Sequence, residues 1–260
     1  MSVLLRQVAA LASLSVLELY RRKDLIVVFV LSAVILLPLA FFRPFGVAGA
    51  SRYLSELSLL LVWLFSLVIG LGVSARSFPH EFESRTIYPM LAKPVGRGVI
   101  LLGRYVGALA AALSALFIFY LAYGLLLGVR HGEWFPVVLV QAFVLHAGFL
   151  AVVTALGLTG SLFLTMSANM TLCMLAVVGM LLFGQRLPQL VAEQPAPASW
   201  VLGALHWLGP HVEFFDLRQR VVHDWPPIRW GVCAAVLAYA GVYAAACLAL
   251  ASLLFRKKRF

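Results

Sequence analysis

Long runs of apolar residues dominate this chain of 260 residues. Six of them approach or exceed the roughly 20 residues that a helix needs to cross the hydrocarbon core of a bilayer. They extend approximately over Leu25 to Phe42, Leu57 to Ala75, Val99 to Gly128, Phe135 to Thr165, Met170 to Gln185 and Trp230 to Phe255. Because backbone N–H and C=O groups in hydrocarbon must bond within the protein, and because the apolar residues do not alternate as in a barrel, these runs predict helices. The sequence thus predicts an all-α, polytopic membrane protein with six transmembrane helices.

The composition excludes a soluble domain of this size. Hydrophobic residues make up 63% of the chain and charged residues 12%, and the mean hydropathy is +1.00. A water-soluble fold of 260 residues has too little interior to bury so much apolar surface.

The basic residues are unevenly distributed between the two sides that these spans define. One side holds 13 of the 20 lysines and arginines and the other holds seven, while six of the ten acids lie on the second side. The positive-inside rule therefore predicts a multi-pass protein of the cell membrane with both termini and residues 76–98 in the cytoplasm. The net charge of +10 is explained by this orientation, and nucleic acid is not expected as a partner.

The predicted organisation has two parts. Residues 1–24 are expected to form an N-terminal interfacial helix, with a cytoplasmic extension of the first span as the alternative. Residues 25–260 form the six-span transmembrane domain. Its last outer segment, residues 186–229, contains six of the twelve prolines and three tryptophans. These aromatic residues favour the headgroup level, so we expect the segment to be partly re-entrant, with a solvated loop as the alternative.

The cytoplasmic segment 76–98 combines charged and apolar residues. Glu81 and Arg85 are spaced i,i+4 with the acid first, which favours a short helix. Tyr88 and Leu91 add apolar surface before Pro94 interrupts regular structure. Such a segment is either a docking element for another protein or a solvated loop.

Three stretches around this segment resemble one transporter family. They are Glu81-Phe-Glu83-Ser-Arg85-Thr86, Leu91-Ala-Lys93-Pro94-Val-Gly-Arg97 and Ile100-Leu-Leu-Gly103-Arg104-Tyr-Val-Gly107. The pattern resembles the permease subunits of type-2 ATP-binding-cassette (ABC) exporters, and the similarity extends over essentially the whole chain.

The resemblance implies a permease that works as a homodimer or heterodimer with cytoplasmic ABC ATPase subunits. In the family, the segment from Glu81 to Leu91 is a coupling helix that fits a cleft on the ATPase. The implied docking residues are Glu81, Glu83, Arg85, Thr86, Tyr88 and Leu91. This chain has no G-x-x-x-x-G-K-[ST] phosphate loop, so ATP and Mg²⁺ are expected on the partner, with no cofactor and no enzymatic activity in this chain.

Two polar residues, Gln141 and His146, lie within the fourth predicted span. Polar side chains are costly there unless they are paired or face water, so they either line a substrate path or bond to a neighbouring helix. Because the spans contain almost no charge, an ion- or proton-coupled secondary transporter is only the alternative function.

An intramembrane enzyme is a weaker alternative still. Ser74 and His146 are the nearest match to a serine–histidine pair, but Ser74 lies at the end of its span, which is poor geometry for catalysis. No residues show the spacing of a metal site.

Overall fold

The computed structural model describes residues 3–21, 30–31, 34, 50–83, 96–132, 134–193 and 195–257. The described residues contain helices and no strands. The nine α-helices among them are α1 (Val3–Arg21), α2 (Ala50–Glu83), α3 (Arg97–His131), α4 (Val137–Gly160), α5 (Met166–Phe183), α6 (Leu187–Glu193), α7 (Ala198–Leu208), α8 (Arg218–Val222) and α9 (Trp230–Lys257). Short 3₁₀ turns lie at Gly184–Arg186 and Val212–Phe215.

Five of the described helices, α2, α3, α4, α5 and α9, are long and apolar enough to cross a membrane. They coincide with the second to sixth predicted spans. The first predicted span, Leu25 to Phe42, falls largely outside the described residues. The predicted fold class, an all-α polytopic membrane protein, is confirmed.

Helix α4 lies at the centre of the bundle. It packs against α2, α3 and α9, and most of its residues are buried. The core around it contains Trp63 from α2, Phe119 from α3 and Phe149 from α4, with the Trp63 and Phe149 rings stacked at 4.0 Å. The central position of α4 explains why its apolar residues surround the helix and do not form one stripe.

The bundle has two distinct ends. At the end called here the terminal end, Leu11 of α1 packs on Gly103 of α3, and Phe78 near the end of α2 meets Phe255 near the end of α9 at 5.2 Å. At the opposite end, called the loop end, Glu56 near the start of α2 accepts a hydrogen bond from the side chain of Gln219.

Helix α2 runs beyond the predicted span. The sequence placed the end of the second span at Ala75, but the helix continues to Glu83 and contains Pro79. Arg76 lies within this helix, and its Nε donates to the carbonyl of Gly72 at 2.6 Å. Hydropathy indicates which residues lie in the apolar layer of the membrane, but it does not show where the helix ends. A helix can therefore continue beyond that layer.

The connection between α4 and α5 is earlier than expected. The fourth predicted span ends at Thr165 and the fifth begins at Met170, which places the turn between them, whereas the chain turns over residues 161–165 and α5 begins at Met166. Asn169 is buried in the first turn of α5, and its Nδ2 donates to the carbonyl of Gly157 at 2.7 Å. The apolar Leu162 and its neighbours concealed the turn, since they extend the hydrophobic run through a region that is not helical.

The segment between α5 and α9 folds against the loop end. Three of its apolar side chains, Val212, Phe215 and Leu217, are buried. Phe215 meets Phe149 of α4 at 6.3 Å and Tyr239 of α9 at the same distance. In contrast, Trp200 and Trp207 of α7 are 76% and 85% exposed, as expected for aromatic residues at a membrane interface.

Candidate functional site: the polar core and the α2–α3 connection

The residues implied in docking lie at the terminal end, where the chain leaves α2. Glu81 and Glu83 belong to the last turn of that helix. The rest of the predicted docking set, Arg85, Thr86, Tyr88 and Leu91, lies outside the described residues. Helix α3 then begins at Arg97, so the predicted coupling segment connects two helices that pack directly on each other.

Arg97 is bonded to the end of α9. Its Nη1 donates to the carbonyls of Phe255 and Arg256, each at 3.0 Å, and its guanidinium lies 5.9 Å from the Phe255 ring centroid. Carbonyls at a helix C-terminus lack partners in the helix and carry partial negative charge, so a guanidinium stabilises them. Since Phe78 of α2 also packs against this ring, Phe255 joins the two helices that flank the predicted coupling segment.

Gln141 connects α4 to the start of α9. Its Nε2 donates to the carbonyl of Ile228 at 2.7 Å, and its Oε1 accepts from the Ile228 N–H at 3.0 Å. The side chain is fully buried. A side-chain amide can pair with one backbone N–H and one backbone C=O at the same time. Glutamine is therefore suited to a buried position beside a residue whose backbone groups have no partner in a helix.

His146 lies at the centre of the bundle between α2 and α3. Its Nε2 is 2.8 Å from the Ser66 hydroxyl and its Nδ1 is 3.3 Å from the Tyr120 hydroxyl, and its side chain is 1% exposed. Ser66 already donates its one proton to the Trp63 carbonyl at 2.9 Å. The hydrogen-bond network therefore assigns the proton of the neutral ring to Nε2, which donates to Ser66, while Nδ1 accepts from Tyr120.

This tautomer determines what the Ser66–His146 pair can do. A nucleophilic serine needs a histidine that accepts its proton, whereas His146 donates to Ser66. Ser74, which the sequence offered as the alternative partner, donates to the Gly70 carbonyl at 2.8 Å within its own helix. The arrangement joins three helices and gives neither hydroxyl a base.

An ion pair lies on the loop-end side of this network. Arg218 donates from Nε and Nη2 to the two carboxylate oxygens of Asp216 at 2.9 and 2.6 Å, and its guanidinium lies 5.5 Å from the ring centroid of Trp63. Both side chains are mostly buried. A bidentate pair that also contacts an aromatic face holds the loop-end segment in one orientation over the core.

The sequence identified Gln141 and His146 but not their partners. Ser66, Tyr120 and Ile228 were missed, and so was Asn169 of the α4–α5 turn. The available signal was the rarity of polar side chains within apolar runs, which applies to Ser66 as much as to His146. Asn169 carries no such signal, because it lies between the fourth and fifth predicted spans.

The family comparison agrees with this architecture of apolar helices around a small polar core. The model of the family described as ABC-2 family transporter protein matches residues 9–259. A search of curated proteins finds no match to the chain. The predicted resemblance to type-2 ABC permeases is confirmed, because the match extends over nearly the whole sequence: the chain belongs to the ABC-2 transporter family.

Proposed function

We propose that this chain is the membrane-spanning subunit of an ATP-driven exporter, in which separate cytoplasmic ATPase subunits bind ATP and Mg²⁺ and drive a dimer of permeases. The observation that carries the proposal is the family match over residues 9–259. Family membership supports the transporter class. The charge and exposure of the surface support the orientation in the membrane and the contacts with lipid and a second permease.

The charge distribution supports a cytoplasmic location for the terminal end. The described basic residues at that end include Arg6, Arg76, Arg97, Arg104, Arg256 and Lys257. The positive-inside rule relates such clusters to the cytoplasmic side. In this orientation the connection between α2 and α3 faces the compartment that contains ATP, and the loop end faces outward.

The packing at the terminal end supports a coupling role for residues 81–91. Helix α2 leads into this segment and α3 follows it. Phe78 of α2 and Arg97 of α3 both contact Phe255 of α9. A displacement of the segment by a docked ATPase would therefore act on three spans together. A loop attached to the bundle by one helix alone would lack this connection.

Two helices support the presence of lipid and of a second permease copy. Helices α5 and α9 are the least buried of the five described spans, and Leu175 and Val242 are 70% and 72% exposed. Apolar side chains on these faces need either acyl chains or another protein surface in the membrane. A dimer interface and a lipid-facing surface would account for the exposed apolar side chains of both helices.

ATP hydrolysis by separated components tests the proposal. The purified permease should hydrolyse no ATP above background, and hydrolysis should appear when the ATPase that co-purifies with it from its host is added. A partner ATPase whose phosphate-loop lysine is replaced is the control. ATP turnover by the permease alone, or transport driven by an ion gradient without any ATPase, would contradict the proposal.

A further inference from the structure

A cavity of about 770 Å³ opens at the loop end, between the first turns of α2 and α4, the last turns of α3 and the chain after α8. Pockets that bind small molecules occupy about 300–1,000 Å³. Its lining includes two arginines, Arg52 and Arg220, and one acid, Asp224. Its formal charge is therefore positive, at the end of the bundle where the chain as a whole is close to neutral.

The guanidinium of Arg220 is held in position by its neighbours. Its Nη1 donates to the carbonyl of Pro226 at 3.0 Å, and its planar group lies 5.8 Å from the ring centroid of Trp225. An arginine carries five N–H donors, and the described part of the chain supplies an acceptor for one of them. Four donors on a fixed, partly buried guanidinium are suited to the oxygen atoms of an acidic group.

Arg52 supplies the second positive charge from the first turn of α2. The described residues provide no carboxylate within ion-pair distance of it, since the ion pair found among them is the one between Asp216 and Arg218. The cavity is therefore lined by two guanidinium groups and one carboxylate, Asp224, and an anion bound between the arginines would gain a favourable charge contact with each.

Apart from Ser55, the other lining residues are aliphatic, aromatic or proline. Leu127, Val138 and Val221 contribute aliphatic surface, and the buried Tyr123 lies on the α3 side. The cavity therefore joins an anion-binding rim to an apolar wall at the level where α2, α3 and α4 reach the end of their spans. A free anion would use the rim alone, whereas an amphiphile with an acidic headgroup would use both parts.

From this combination we infer that the cavity binds an amphiphile with a singly charged phosphodiester headgroup, such as an anionic phospholipid. The phosphate oxygens bind Arg52 and Arg220, and the beginning of an acyl chain lies along Leu127 and Val138. Asp224 limits the site to headgroups of low charge, because a dianion would be repelled by its carboxylate. The inference does not depend on ATP coupling, and the permease alone suffices to test it.

Native mass spectrometry of the purified full-length chain in detergent tests the site. The probes are phosphatidylglycerol and diacylglycerol with the same acyl chains, and glycerophosphoglycerol, the singly charged phosphodiester headgroup without chains, is the competitor. Phosphatidylglycerol should bind more tightly than diacylglycerol. Arg52→Gln and Arg220→Gln should each weaken its binding about fivefold, the effect of losing one partly exposed charge contact. Arg229→Gln, an exposed arginine at the same end that does not line the cavity, should leave it unchanged.

Asp224→Asn distinguishes a lost charge contact from a damaged fold. Removing this carboxylate should strengthen phosphatidylglycerol binding several-fold, and misfolding does not increase affinity. Equal binding of the two lipids, or an equal loss in the Arg229 and Arg220 variants, would overturn the inference. Displacement of the lipid by glycerophosphoglycerol at equal concentration would also overturn it, because the apolar wall would then contribute nothing.

Discussion

His146 of α4 joins three helices, because the two nitrogens of its ring bond to hydroxyl groups on two other helices. One ring nitrogen donates to Ser66 of α2 and the other accepts from Tyr120 of α3, while the ring lies 5.4 Å from the Trp63 ring. Inside a membrane protein the cost of an unpaired polar group is not relieved by water. The position therefore needs a donor and an acceptor on opposite sides of one short side chain.

Replacing His146 by alanine should lower the free energy of unfolding by about 1–3 kcal/mol, because Tyr120 then buries a hydroxyl without its acceptor and a void replaces the ring. His146→Gln, whose amide also offers one donor and one acceptor group, should retain more of the stability. Thermal unfolding in detergent measures both. A double-mutant cycle with Ser66→Ala gives the coupling between the two residues, and full additivity would contradict the hydrogen bond.

The sequence could identify the polar residues of the core but not their partnerships. Gln141 and His146 are visible as exceptions within an apolar run, and that exception predicted a bond or a water-lined path. Their partners are 80 residues away for Ser66 and 87 for Ile228, and no local periodicity records such a distance. The tautomer of His146 follows from the local bond between Ser66 and the Trp63 carbonyl within α2, but it can be assigned only once tertiary packing places Ser66 beside His146.

Helices α2 and α4 approach closely where Gly157 faces Ser74. A Cβ added at Gly157 would contact the Ser74 side chain, with its Oγ nearer than any real contact and its Cβ at 3.2 Å. Gly157 and Ser161 have the i,i+4 spacing of small residues that permits close helix contact, and the structure gives Gly157 a partner in α2. Gly124 and Gly128 are different, since they face Phe135 and Trp134 of the α3–α4 connection and not another helix.

Gly157→Ala should therefore destabilise the bundle by about 1–3 kcal/mol, because the new methyl group separates α2 from α4. Gly179→Ala in α5 is the matched control. Among the described residues, no atom outside the local helix backbone lies within 4 Å of its added Cβ, and alanine is favoured over glycine in a helix interior by about 0.5–1 kcal/mol. Thermal unfolding should show a loss for the first variant and none for the second. A similar loss in both would contradict the role of the α2–α4 contact, because helix propensity favours alanine and cannot account for a loss.

The whole molecule is organised by the difference between its two ends. The terminal end concentrates basic side chains and the predicted docking segment, whereas the loop end contains the Asp216–Arg218 pair and the exposed tryptophans of α7. Hydropathy predicted the existence of the five described spans, because the membrane imposes length and composition on them. It did not predict the turn at residues 161–165 or the packing of Phe215 against α4 and α9, because both depend on contacts between helices.

The orientation of these ends can be measured directly. Reporter fusions at residue 85 and at the C-terminus should be cytoplasmic, and fusions at residues 195 and 220 should be external, because the basic residues favour the terminal end by 13 to seven. Fusion sites on the two sides of the bundle control for each other in the same experiment. An external C-terminus would contradict the six-span topology.

The last prediction concerns the docking segment that connects α2 to α3. Charge reversal at Glu83, or truncation of Tyr88 and Leu91 to alanine, should leave membrane insertion intact, because all three residues follow the candidate span Ser55–Pro79. Association with the ATPase should weaken instead. Loss of an anchor at a docking centre costs about 2 kcal/mol or more, which is about thirtyfold in affinity, whereas a solvated loop residue costs about 0.5 kcal/mol or less.

Co-purification of the ATPase and its permease-stimulated hydrolysis measure this effect. Glu133→Ala and Glu193→Ala are the matched controls, because they remove charge from the predicted external side. The Gly157→Ala variant separates docking from stability, since it should weaken the bundle without altering the docking surface. If the Glu83, Tyr88 and Leu91 variants affect association no more than the Glu133 and Glu193 variants do, residues 81–91 are a solvated connection, and the ATPase must contact the permease elsewhere on its terminal end.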